Sequence, residues 1–118
     1  MVTKKNRLIY EMQAEICSAL ASPIRLEILD LLSEGEQNSS QLLEILDIPK
    51  ANLSQHLSVL KDAGLIKARR EGHYQFFSVA IPQVKEACTL VKKVLNEKLA
   101  GQERISLEVR RNLTAKQG

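Results

Sequence analysis

The residues of this 118-residue chain best suited to chemistry on a partner fall between Lys50 and His73. Asn52, Ser54, Gln55 and Ser58 are short, uncharged hydrogen-bonding side chains within seven positions. Asn and Gln amides can pair bidentately with adenine, and a serine hydroxyl can bond any base edge or a phosphate. Lys50, Lys61, Arg69, Arg70 and His73 add cationic or cation-forming groups around them. Such groups suit phosphate contact or insertion into a minor groove. This is the chemistry of holding and reading a nucleic acid. Bond-breaking chemistry lacks its parts: there is no Gly-rich phosphate loop, no His–Cys or Ser–His pair at a nucleophile's spacing, and no convergent carboxylate pair. The sequence therefore predicts neither an enzyme nor a cofactor.

The elements that must position these groups are legible from apolar spacing. Leu53, Leu57 and Leu60 recur at i, i+4, i+7, one face of a helix that Pro49 can open in its first turn. Ala51, Gln55, Ser58 and Asp62 then point the opposite way, with Asn52 and Ser54 on the flanks. His56 falls at the edge of the apolar face, where a packed, hydrogen-bonded histidine is expected. Ala63-Gly64 ends the helix. Leu65 to Arg70 reads as a strand, Glu71-Gly72 as a tight turn, and Tyr74 to Val79 as the returning strand. Arg69, Arg70 and His73 are expected at the hairpin tip. Upstream, Ser39 or Ser40 can cap a short helix buried through Leu42, Leu43, Ile45 and Leu46, and Asp47 sits at the turn. The pattern is a helix-turn-helix followed by a basic wing.

Two further helices precede it and one follows. Leu8 to Ala21 is amphipathic through Leu8, Ile9, Met12, Ile16 and Leu20. Ser22-Pro23 starts a helix buried through Ile24, Ile28, Leu29, Leu31 and Leu32 and ended by Gly35. Pro82 opens a long helix with Val84, Cys88, Val91 and Leu95 on one stripe. Gly101 is expected to break it, leaving residues 102–118 as a polar tail, either a further helix through Ile105, Val109 and Leu113 or frayed. The expected fold is mainly α with a small β-hairpin: residues 1–100 as one winged-helix domain and 101–118 as its tail.

The net charge of +3 is segregated. Residues 8–47 carry eight acids against the single base Arg25, whereas residues 50–73 carry five bases against Asp62 and Glu71. The basic part coincides with the groups suited to nucleic acid, which is the footprint of a DNA-binding face. No run approaches transmembrane length and no apolar leader begins the chain, so a cytoplasmic protein with reduced thiols and no membrane partner is expected.

Taken together, "ALASPIRLEILDLL", "NLSQHLSVLKDAGLI" and "RREGHYQFFSV" resemble the ArsR/SmtB family of winged-helix repressors, over about Ile16 to Leu95. The middle block is shared with other winged-helix families; the three in this order and spacing are far more specific. The resemblance implies a homodimer, packed through its first and last helices, that binds a pseudo-palindromic operator and releases it when a small-molecule or redox inducer is sensed.

The resemblance also shows what is missing. Metal sensors of the family carry Cys-x-Cys where this chain has Asn38 and Ser40, and others bind zinc through Asp and His on the last helix. Here the histidines are His56 and His73, so no metal site is expected. Thiol sensors of the family place their first cysteine near the position of Asp30. Cys17 and Cys88 remain as candidate sensing residues, with three roles open: small buried apolar groups, a thiol switch, or ligands of a thiophilic metalloid. A rival from another class is a winged-helix protein-interaction module without DNA binding. Such a module would tend to carry an acidic or apolar recognition face and a wing lacking arginines.

Overall fold

The computed structural model describes residues 4–117. The order is α1 (Lys4–Leu20), α2 (Pro23–Glu34), β1 (Gln37–Asn38), α3 (Ser39–Leu46), α4 (Lys50–Asp62), β2 (Ile66–Glu71), β3 (Tyr74–Val79) and α5 (Gln83–Gln117). The chain divides into two compact units between Lys85 and Glu86. The first holds α1–α4 and the sheet; the second is the remaining length of α5.

Local chemistry sets the ends of each element. Ser22 Oγ accepts from the Arg25 N–H at 3.3 Å and Pro23 opens α2, as the Ser-Pro pair predicts. The cap of α3 is Asn38 and not either expected serine. Its Oδ1 accepts from the Gln41 N–H at 2.9 Å, and Gln41 Oε1 accepts from the Asn38 N–H at 2.8 Å. This reciprocal box satisfies two orphan amides at once, which a lone serine cannot do. Asp47 ends α3 in the left-handed region at φ 51°, a conformation its short polar side chain tolerates. Pro49 sits one position before α4 as its N-cap, and its carbonyl accepts from Asn52 and Leu53.

The stop of α4 is a Schellman motif. Gly64, at φ 78°, donates to the Lys61 carbonyl, and Leu65 donates to the Leu60 carbonyl. Leu60 and Leu65 are both buried, so the exit of α4 is pinned to the core.

The core lies between α2, α3, α4 and the sheet. Ile28, Leu29, Leu42, Leu53, Leu60 and Leu65 are its fully buried side chains, joined by Leu32, Leu46, Leu57, Ile66 and Phe77. Each such side chain is worth about 1.5–3 kcal/mol of burial. Ile45, expected inside, is half-exposed on the outer side of α3. The α1 stripe behaves likewise: Leu8, Ile9, Met12 and Ile16 are exposed, and burial in α1 is confined to Ala19 among its described side chains.

The wing is a three-stranded antiparallel sheet in the order β1-β3-β2, one strand more than the expected hairpin. β1 is two residues long, too short for any alternation to announce it. β2 starts and ends one residue later than expected, so the loop is Gly72-His73 between paired Glu71 and Tyr74. Gly72 has φ 61°, while His73 is not in the positive region, the pattern of a type II′ hairpin turn.

The break expected at Gly101 is absent: α5 is one helix of 35 residues. A single glycine costs a helix interior about 1 kcal/mol, too little to interrupt a ladder continued on both sides. Leu90, Val91, Val94, Leu95, Leu99, Ile105, Leu107 and Val109 are exposed along it.

Candidate nucleic-acid interface

The site is built on α4 and the sheet face turned toward it. Lys50, Ser54, Ser58 and Lys61 follow one another at four-, four- and three-residue steps and form a stripe down one side of α4. This stripe, with Ser39 and Gln75, walls a groove between helix and wing floored by Leu53, Leu57 and Phe77. The apolar floor fixes the helix against the sheet, and the polar wall faces outward. On the other flank of α4, Gln55 lines a shallow hollow with Arg25, His56 and Val59. Lys50, Asn52, Ser54, Gln55, Ser58 and Lys61 are all exposed, and no carboxylate lies in the first turn of α4. No acid of that turn therefore offsets the positive end of the α4 dipole.

His56 is half-buried, as its place at the edge of the apolar face predicts. Its Nδ1 stands 3.2 Å from Arg25 Nη1. A guanidinium can only donate, so Nδ1 is the acceptor and the ring proton lies on Nε2. The same Arg25 donates through Nε to the Ala19 carbonyl at 2.6 Å and through Nη2 to the Ser18 carbonyl at 3.2 Å. One side chain of α2 thus closes the end of α1 and touches the recognition helix beside Gln55. Sequence reasoning had no signal for this beyond Arg25 being the single base of an acidic stretch.

The wing separates the two arginines expected together at its tip. Neighbouring strand residues point to opposite faces. Arg70 is paired in register with Gln75, on the face that carries Ile66 and Phe77 and meets the groove. Arg69 is paired with Phe76, on the outer face. There Arg69 lies 4.6 Å from the Phe76 ring centroid, bonds both Glu36 oxygens through Nε at 3.1 and 2.9 Å, and bonds Glu36 again through Nη2 at 2.6 Å. Its Nη1 donates to Glu71 at 2.6 Å. The Arg69 hydrogen bonds hold the Glu36 carboxyl below its ordinary range, and the two carboxylates raise the Arg69 guanidinium still further. His73 is exposed in the turn. Gln75 was missed in the sequence; its register opposite Arg70 places it in the groove, and register is not visible before the strands are paired.

Residues 22–68 match the arsR family of bacterial regulatory proteins. An HTH-type transcriptional regulator of Methanocaldococcus jannaschii is 41% identical over 86 residues, covering 72% of this chain and 97% of that one. The chain belongs to the arsR family. As an arsR-family member it is a winged helix-turn-helix transcription regulator, and its α3 and α4 are the helix-turn-helix. The HTH-type regulator Rv0081 of Mycobacterium tuberculosis is 39% identical over 88 residues, covering 74% of this chain and 77% of its own length. The crystal structure of Rv0081 superposes with a TM-score of 0.73 at 37% identity, covering 80% of this chain and 95% of that one. The solution structure of a homodimeric winged helix-turn-helix DNA-binding domain from Mycobacterium bovis superposes with a TM-score of 0.74 at 33% identity, covering 83% of this chain and 91% of that one.

Asn38 is spent on the α3 cap and Ser40 lies exposed in the first turn of α3. Among the described residues no three His, Cys, Asp or Glu side chains gather closely enough to hold a metal ion. Cys17 is exposed on α1 and Cys88 is half-buried on α5; both are thiols, and neither is a fully buried core group in the chain by itself. Among the described residues no helix is long and apolar enough to cross a membrane.

Proposed function

We propose that the protein is a dimeric repressor that binds a pseudo-palindromic operator in double-stranded DNA and is released by an inducer. The observation that carries the assignment is the groove wall of α4, where Ser54 and Ser58 are flanked by Lys50 and Lys61 beside an exposed Gln55. Two α4 helices set about one helical turn apart enter successive major grooves. Gln55, Asn52, Ser54 and Ser58 meet base edges; Lys50, Lys61, Arg70 and His73 meet the backbone. The exposed stripes of α1 and α5 supply apolar surface for a second copy, which makes folding and association inseparable. The inducer acts by changing how the two reading heads are set relative to each other, and Cys17 and Cys88 are the candidate receivers of a thiol signal.

The test is fluorescence anisotropy on the DNA upstream of the protein's own gene, across a salt series. Gln55→Ala should lose about 1–3 kcal/mol of preference for the operator over unrelated duplex. Arg70→Ala should weaken binding to every duplex and lower the salt slope by about one per subunit. Variants that both bind like the parent would refute this docking. A parent that binds no duplex even at low salt would favour the interaction-module reading. Repeating the titration after mild oxidation, with mass spectrometry on both thiols, decides the signal: binding unchanged with Cys17 and Cys88 modified removes them from the mechanism.

A further inference from the structure

The wing's outer face carries a built cluster that the docking just described does not use. Arg69 leaves β2, crosses the ring of Phe76 in the central strand β3 at 4.6 Å, and reaches Glu36, which directly precedes β1. One guanidinium therefore links β2, through the ring of the central strand β3, to the residue just before β1. Glu71, at the end of β2 beside the turn, closes the other side of the same guanidinium at 2.6 Å. Isolated surface ion pairs contribute little, but a bidentate arginine within a network, stacked on an aromatic ring, is the geometry in which they do contribute.

We propose that Arg69 is a positioning residue, a strap across the outer face of the sheet that holds the wing at the angle from which Arg70 and Gln75 meet DNA. The proposal rests on the DNA-binding assignment above. Three features support it. Arg69 faces away from the groove, whereas its neighbour Arg70 faces the groove side. Its Nε, Nη1 and Nη2 all donate to the carboxylates of Glu36 and Glu71, which already offset the charge that would draw a phosphate. The strap also ties the wing to the corner between α2 and β1, and β1 runs directly into the Asn38 cap of α3. Wing and helix-turn-helix are thereby tied to the same short segment, Glu36 to Asn38.

Charge reversal separates a strap from a phosphate contact. Operator binding is measured across a salt series for the parent, Arg69→Ala, Arg70→Ala, Glu36→Arg and the double variant Glu36→Arg with Arg69→Glu. A strap predicts that Arg69→Ala weakens binding by roughly fivefold while keeping the parent's salt slope. It predicts that Glu36→Arg weakens binding although it makes the wing more basic. The double variant, which rebuilds the pair in reverse, should return to within about twofold of the parent. If instead Glu36→Arg tightens binding, Arg69→Ala lowers the slope as Arg70→Ala does, and the double variant stays weak, Arg69 touches phosphate and the proposal fails. Should Arg69→Ala unfold the wing outright, the double variant still decides. A parent without operator affinity would refute the DNA-binding assignment itself, an outcome distinct from failure of the strap.

Discussion

Arg25→Met tests how the recognition helix is held. Arg25 makes three side-chain hydrogen bonds, to the carbonyls of Ser18 and Ala19 and to His56 Nδ1. Methionine keeps the apolar stem and removes all three. Hydrogen bonds from a charged donor contribute about 1.5–3 kcal/mol each when buried. These are part-buried or exposed, and the carbonyls at the end of α1 can be reclaimed by water, so the sum must be discounted. A net loss of about 2 kcal/mol is expected, or about 8 °C in Tm at the usual unfolding entropy per residue. Urea unfolding followed by circular dichroism measures it. Arg25→Lys should recover little, because a single ammonium cannot span acceptors on both α1 and α4. His56→Ala should cost less than Arg25→Met, and a double-mutant cycle between them should show about 1 kcal/mol of coupling. A loss below about 0.5 kcal/mol for Arg25→Met, the ordinary range of an inert surface change, would show that these contacts do not hold the helices together.

Gly64→Ala should destabilise the protein by about 1–2 kcal/mol through backbone strain alone, since Gly64 sits at φ 78° and an added Cβ would meet nothing within 4 Å; thermal melts check it, and an unchanged Tm would mean the Schellman exit of α4 is not held at that angle. The second expectation concerns acid. Glu36 has its pKa lowered from 4.5, first by its hydrogen bond to Arg69. A depressed folded-state pKa contributes stability that is complete above the ordinary carboxylate value and is lost as pH falls through the folded value. The wing strap should therefore be indifferent to pH near neutrality and loosen only in acid, below the ordinary carboxylate range. The protection of β2 and β3 amides against hydrogen exchange, taken relative to the intrinsic rate at each pH, should fall there in the parent, and Glu36→Gln should abolish that dependence.

The sequence by itself determined much of what is local, though it put the α3 cap on a serine in place of Asn38 and a break at Gly101 where α5 continues. Apolar spacing located α2, α4 and the two long wing strands, because a helix repeats every 3.6 residues and a strand every two. Ser22-Pro23, Ala63-Gly64 and Gly72 fixed ends and turn because each meets a backbone demand within three or four positions. The polar outer side of α4 was legible for the same reason. What tertiary structure decided is every partnership across distance. Arg25 reaches His56 over 31 positions and Arg69 reaches Glu36 over 33, and no pattern in the chain announces either. Strand pairing placed Gln75 beside Arg70 and set Arg69 on the opposite face, because a shift of one residue exchanges the faces of a strand. Spacing showed that α1 carries an apolar stripe; that Leu8, Ile9, Met12 and Ile16 lie outside the core of α2, α3, α4 and the sheet follows only once that core has closed, since amphipathic spacing records which face is apolar and says nothing of what buries it.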